Sequence, residues 1–300
     1  MNKLRIGLIG MPFYTARLEK ELKGFDPLML VKSFNTYTSL VGKLHYSITV
    51  PSLDVIFSVN GDNRKSRAFS WAKNNHVRLI MNWSGTDVLT CIENFKRGEV
   101  DQELVDYAEH TCQCSWIQEE LKTIRIKAKI IQFQAYQGAP SSSLPSRVKV
   151  LCRISQDRPD FYGMKQLVAL AQSHAEIEFT AIGINTYSES LPPNIILKGW
   201  VDDMDALFQE HLIALRFPEH DGLSPFVLES LARGLHVLYR FPFDEVIHTP
   251  DLESIQRELT VLKEKFKKKE LGWNQSGMNL IREEFTERKV FEEFTRYLGV

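Results

Sequence analysis

The sequence predicts an α/β fold made of two Rossmann-like, doubly wound lobes, and three observations carry that prediction. Short apolar runs alternate with amphipathic segments along the chain, which is the pattern of a parallel sheet covered by helices. The alternation is interrupted by Gln137-Gly138-Ala139-Pro140-Ser141-Ser142-Ser143-Leu144-Pro145-Ser146, poor in large apolar side chains and rich in Ser and Pro, and then restarts. A length of 300 residues is enough for two modest lobes, each with its own core.

Residues 4–9 read as the first strand, followed by a loop and a helix over 15–23 that stops at Gly24. Residues 27–31, 55–59 and 77–81 read as further strands, with a helix over 64–74 between the last two. Ser115-Trp116-Ile117-Gln118 has the form of a capping box before a helix running to Thr123, and 129–133 returns to strand. After the linker come a strand over 148–154, a helix over 164–173, and a strand over 177–182 ending at Gly183. Residues 203–209 read as a short helix with Asp202-Asp203 as caps, and 213–216 as a strand. A long helix carries Leu252, Ile255, Leu259, Leu262 and Phe266 at helical spacing. A last one over 289–298 carries Val290, Phe291, Phe294 and Leu298. The boundaries expected are 1–140 for the first lobe, 147–285 for the second and 286–300 for a C-terminal helix, which either packs back on the first lobe or simply ends the chain.

Composition narrows the partners. A formal net charge of −1 exerts no global pull toward nucleic acid or anionic membrane. Cys91, Cys112, Cys114 and Cys152 match neither a disulfide framework nor zinc-ligand spacing, so reduced thiols are expected. The apolar run from Ile6 to Ile9 is too short for a signal peptide, and no later stretch approaches the length of a membrane span, so the chain is expected in the cytoplasm. The basic end Lys263-Glu264-Lys265-Phe266-Lys267-Lys268-Lys269 has two uses open to it. It is a favourable charge set at a helix C-terminus, or a weak peripheral contact with anionic lipid at the inner membrane surface.

The densest chemistry lies in His220-Asp221-Gly222-Leu223-Ser224-Pro225-Phe226-Val227-Leu228-Glu229-Ser230-Leu231-Ala232-Arg233-Gly234. Ser224 is placed to cap a helix whose first residue, Pro225, has no N–H to lose, and Gly234 suits the position just past its end. Val227, Leu228, Leu231 and Ala232 form an inward stripe, with Glu229 one turn above Pro225 on a flank. Free amides and the helix dipole at such an N-terminus favour a diphosphate, and a carboxylate one turn deeper accepts hydrogen bonds from ribose hydroxyls.

These residues resemble the signature of retaining GT-B glycosyltransferases of the glycosyl-transferases group 1 type, in which an acid, here Asp221, is separated by seven residues from a glutamate, here Glu229. The likeness extends upstream through Asn194 to Val201 and downstream through Gly234-Leu235-His236-Val237-Leu238. It implies two lobes facing a cleft, with Gly222, Leu223, Ser224 and Glu229 at the donor nucleotide and Asp221 at the sugar. Gly10, after the first strand, stands where the family often has a glycine pair; it is either a donor contact or a turn. The family's basic loop corresponds to Ser155 to Lys165, but Tyr162 precedes Gly163 where lysine is expected. The diphosphate charge then falls to Arg158 first, Lys165 second, or Arg153. Asn82-Trp83-Ser84-Gly85-Thr86-Asp87 resembles an H-W-x-G-T/S-D segment with Asn82 in place of histidine. Trp83, Thr86 and Asp87 would face acceptor or sugar, although Asp87 serves equally well as a helix cap.

The expectation is therefore a retaining glycosyltransferase that moves a sugar from a nucleotide-diphosphate sugar to an acceptor hydroxyl on a glycan, a lipid-linked molecule or a small molecule, with no metal and no other cofactor. A nucleotide-sugar epimerase of the same fold and a non-catalytic ligand-binding relative are the alternatives.

Overall fold

In the computed structural model, which describes residues 4–300, the chain divides into two compact units, 1–135 with 287–300 and 136–286. Each is built on a six-stranded, wholly parallel sheet covered by helices. The fold class is the one the sequence predicts.

In the first unit the strands β1 (Arg5–Ile9), β2 (Leu30–Ser33), β3 (Val55–Ser58), β4 (Arg78–Trp83), β5 (Glu109–Cys112) and β6 (Ala128–Ile130) lie in the order β2-β1-β3-β4-β5-β6. The helices are α1 (Pro12–Phe25), α2 (Leu40–Thr49), α3 (Arg67–Asn74), α4 (Thr86–Arg97), α5 (Gln102–Tyr107) and α6 (Ser115–Thr123). The C-terminal helix, Glu287–Leu298, joins this unit. Val290, Phe291, Phe294 and Leu298 pack with Ile6, Leu8, Leu18, Phe57 and Phe133, and Arg78 donates to the carbonyls of Tyr297 and Leu298.

Several local expectations shift. α1 starts at Pro12, whose fixed φ suits a first helical position, ahead of the expected Thr15. β2 begins at Leu30 because Asp26 turns the chain, accepting the Met29 N–H. The capping box at Ser115 does not form. Ser115 is already the first helical residue, no side chain caps the helix, and Gln118 donates to the Ala128 carbonyl at 2.8 Å. α2 and β5 are absent from the sequence reading. β5 is only four residues, EHTC, and its polar side chains are buried or half-buried by neighbouring strands.

In the second unit β7 (Lys149–Arg153), α7 (Met164–Ser173), β8 (Glu178–Ile182), β9 (Ile195–Gly199), α8 (Met204–Glu210), β10 (Ile213–Arg216), α9 (Pro225–Ala232), β11 (His236–Tyr239), β12 (Ile247–His248), α10 (Leu252–Lys267) and α11 (Gln275–Glu284) follow in turn. The sheet order is β12-β11-β10-β7-β8-β9. Asp203 caps α8 through the Ala206 N–H, as its sequence position implies. Gly234, at φ +77°, ends α9 with its N–H on the Leu231 carbonyl while the Leu235 N–H reaches Ser230, the paired bonds of a Schellman motif.

Both sheets are doubly wound, with different strand orders. From β1 the chain goes to β2 on one side and returns to β3 on the other; from β7 it runs through β8 and β9 before crossing to β10. Each unit therefore has a topological switch point at the carboxyl ends of two adjacent strands, the place where open α/β sheets bind ligands. In the first unit those ends lead into Gly10 and Val59; in the second they are Arg153 and Arg216.

Candidate functional site

The switch point of the second unit is held by a buried guanidinium. Arg216 closes β10 with only 7% of its side chain exposed. Its Nε donates to Asp221 Oδ2 at 2.7 Å, and its Nη1 donates to the Arg153 carbonyl, which ends β7, at 3.1 Å. Its carbon centre lies 4.9 Å from the centroid of the Tyr162 ring. Burial works against the charge of Arg216, and the Asp221 carboxylate more than offsets this, raising its pKa. One side chain thus ties two strand ends to the loops that follow them.

Those loops, 154–163 and 217–224, are also pinned directly. The Glu219 N–H reaches the Phe161 carbonyl at 2.7 Å. Gly163 has φ +93°, and a Cβ there would lie 2.6 Å from the Phe217 carbonyl oxygen, so a side chain is excluded on both counts. The Tyr239 hydroxyl donates to the Gly222 carbonyl at 2.7 Å and Arg240 to Pro218 at 3.1 Å.

This geometry corrects two expectations about α9 and gives Asp221 a partner. Asp221 is half-buried, and one of its carboxylate oxygens accepts from Arg216. Ser224 occupies the N-cap position of α9, but its side chain makes no capping hydrogen bond, and its carbonyl accepts from Val227 and Leu228 instead. The inward stripe of α9 is in fact nearly all-round burial: Phe226 to Leu228 and Ser230 to Ala232 are buried, and only Pro225 and Glu229 are not. Glu229 is the single charged residue of the helix, one turn from its start. Gly222 and Leu223 are buried in the loop leading to it.

The basic loop is split. Arg158 is exposed and lies over the rings of Phe161 (4.4 Å) and Tyr162 (5.8 Å). Lys165 pairs at 3.0 Å with Asp160, which also accepts the Tyr187 hydroxyl, and this pairing raises the lysine pKa. Lys165 is thus drawn into a surface network. Arg153 places an exposed side chain at the end of β7, where its carbonyl receives Arg216.

The first unit treats its expected residues differently. Trp83 is fully buried, which overturns its sugar-facing assignment. Its Nε1 donates to His110 Nδ1 at 3.1 Å, so His110 carries its proton on Nε2 and donates to the Val105 carbonyl. Asp87 is the second residue of α4, and its carboxylate accepts backbone N–H groups of Gly61, Ser84, Gly85 and Val88 at 2.8–3.2 Å. The cap use does not hold as expected, since the N-cap of α4 is Gly85 with no side-chain capping bond; Asp87 instead ties the turns after β3 and β4 together. Asn82 is buried and bonded to Ser84 and Thr111. Thr86 is half-buried at the first position of α4. Gly10 has φ +109°, and a Cβ would lie 2.4 Å from Asn60 Oδ1. The close approach accounts for the glycine without a ligand. All four cysteines are free and buried; burial pushes Cys112 up to about 11 and Cys91 to about 12, so neither is a thiolate at neutral pH.

Arg216 is the residue that sequence reasoning missed. The available signal was a charge inside the apolar run Leu212-Ile213-Ala214-Leu215-Arg216-Phe217, since a buried arginine requires a paired acid close by.

No family model matches the chain, and no curated protein sequence is detectably similar to it. Solved structures are. Anabaena HepE in complex with UDP-glucose superposes with a TM-score of 0.70 at 12% identity, covering 99% of this chain and 100% of HepE. The GT-B fold is shared. The lipopolysaccharide outer core galactosyltransferase WaaB, in its apo form, matches with a TM-score of 0.65 at 12% identity over 99% of both chains. The pneumococcal O-GlcNAc transferase GtfA, in complex with UDP and GlcNAc, matches with a TM-score of 0.62 at 12% identity over 84% of this chain. The chain spans 59% of GtfA and 54% of a further match, TarM. Among the described residues no helix is long and apolar enough to cross a membrane.

Proposed function

We propose that this protein is a glycosyltransferase that transfers a sugar from a nucleoside diphosphate sugar to an acceptor hydroxyl, with retention of anomeric configuration and without a metal. The observation that carries the reading is the second unit's switch point, where Arg216 joins the ends of β7 and β10 beside the N-terminus of α9. A diphosphate at that point meets the positive end of the α9 dipole and the exposed guanidinium groups of Arg153 and Arg158, which offset charge on the departing phosphate. In this reading Glu229, one turn along α9, accepts the ribose hydroxyls. Asp221 acts through Arg216, as the partner that keeps the acidic loop in place. Thr86 is retained as an acceptor-side residue. The fold shared with a UDP-glucose complex and with two named transferases supports the same reading.

The test is donor hydrolysis and transfer with a panel of nucleotide sugars, alone and with candidate acceptors, in EDTA and with added magnesium. Activity is expected to survive chelation. Arg153→Ala and Arg158→Ala are expected to slow transfer by about two to three powers of ten, and Lys165→Ala far less. Glu229→Gln is expected to weaken donor binding by at most about a hundredfold with the melting temperature unchanged. Strict dependence on magnesium overturns the metal-free mechanism. A chain that binds nucleotide sugar without consuming it is a binding protein instead.

A further inference from the structure

Two arginines of the second unit lie over one pair of aromatic rings, and they differ in what their N–H groups meet. Arg216 lies over Tyr162 at 4.9 Å and spends its Nε on Asp221 and its Nη1 on the Arg153 carbonyl. Arg158 lies over Phe161 at 4.4 Å and over Tyr162 at 5.8 Å. The two rings meet edge to face, with centroids 5.2 Å apart and planes at 75°. Arg158 has acids on both sides in sequence, Asp157 and Asp160, yet pairs with neither. Asp160 goes to Lys165 and to the Tyr187 hydroxyl, and among the described residues no carboxylate lies within ion-pair distance of Arg158.

The rings are fixed from below. The Phe161 carbonyl accepts the Glu219 N–H at 2.7 Å, and the Tyr162 N–H donates to the carbonyls of Arg158 and Pro159 at 3.2 and 3.1 Å. Both rings are half-buried, and Tyr162 packs against the core of its unit, whereas Arg158 is exposed. A ring under a guanidinium engages its face and leaves its in-plane fork of N–H groups for a bidentate oxyanion. It also orders a long side chain before any ligand arrives, so less rotamer freedom is lost on binding. A carboxylate partner does the reverse, occupying the fork and offsetting the charge, as Asp160 does to Lys165. In Arg216 the protein itself supplies the acceptors; in Arg158 the acceptors are left to a ligand.

We propose that Phe161 and Tyr162 are positioning residues that hold Arg158 as a preformed fork for the diphosphate of a nucleotide, an inference that rests on the donor reading of the second unit. Titration calorimetry of the full chain with UDP, GDP and ADP tests it, and wild type is expected to bind at least one of the three. Phe161→Leu is expected to weaken that nucleotide about two- to tenfold, the cost of ordering one released arginine. Phe161→Tyr keeps an aromatic face and is expected to bind as wild type. In an Arg158→Ala background Phe161→Leu is expected to cost nothing further, whereas a ring that only packs the loop would cost the same in both backgrounds. The δ-methylene protons of Arg158 read the mount without ligand. Their signals are expected to be shifted upfield by ring current in wild type and Phe161→Tyr, and less so in Phe161→Leu. Equal losses in the two backgrounds, an unchanged affinity in Phe161→Leu, or no ring-current shift in wild type overturns the mount and leaves the donor reading standing. Wild-type protein that binds none of the three nucleotides overturns both.

Discussion

The two units are both doubly wound and differ in what stands at the switch point. In the first, the ends of β1 and β3 meet through Gly10 and Asn60, uncharged groups in close approach, and the acid next to them, Asp87, spends its oxygens on four backbone amides. In the second, the ends of β7 and β10 meet through a buried arginine, a carboxylate and an aromatic ring. Two doubly wound sheets thus have one switch point stabilised by local hydrogen bonds and one stabilised by an ion pair that spans two loops. A charged centre with exposed guanidinium groups around it suits an anionic ligand; an uncharged one offers no such charge.

The sharpest way to break this comparison is to remove Arg216. Arg216→Met leaves Asp221 in a largely dehydrated position and is expected to destabilise the second unit by about 3–5 kcal/mol. Amide exchange should show the loss in β10 and β11 and not in β3 and β4. Adding Asp221→Leu is expected to recover most of it, since an apolar pair of similar volume often matches a buried ion pair. A loss under about 1 kcal/mol from Arg216→Met would mean that the pair does not hold the loops.

A smaller effect is expected on the other side of the comparison. Asp87→Ala strands the N–H groups of Gly61, Ser84 and Gly85, while Val88 keeps the Gly85 carbonyl and Ser84 is only half-buried, so about 1.5–3 kcal/mol is expected, confined to the first unit. Asp87→Asn should retain part of this. Urea unfolding followed by exchange in β3 and β4 measures it, and loss of activity without loss of stability would return Asp87 to a ligand-contacting role.

The smallest difference concerns acid. Burial lowers the pKa of His110 in the first unit and of His211 and His236 in the second. Each stays neutral in the fold, so its stabilisation is complete above the unfolded value of about 6.5 and is lost as pH falls from there through the folded value, while the unfolded chain takes up protons that the fold refuses. Between pH 7 and 5.5, above the carboxylate range, the second unit should lose more stability than the first, by at most about 1 kcal/mol per histidine. Equal losses in the two units, read by exchange at both pH values, would remove this distinction.

The amino-acid sequence by itself determined the alternation of strand and helix, the restart after residue 136, and local geometry that depends on one backbone position, such as the Schellman turn at Gly234. These follow from φ, ψ and hydrogen-bonding limits of single residues and their near neighbours. Tertiary structure alone decided the rest. Trp83 in a strand-end loop motif reads as a sugar platform until β5 supplies His110 beside it. Leu40, Val41, Leu44 and Ile48 of α2 have the spacing of a core stripe, yet they are exposed. Asp221 and Arg216 are five residues apart, and their pairing depends on how the loop folds back over β7. Periodicity reports which side chains share a face; which face the remainder of the chain covers, and which charges burial forces together, are set only when distant segments pack.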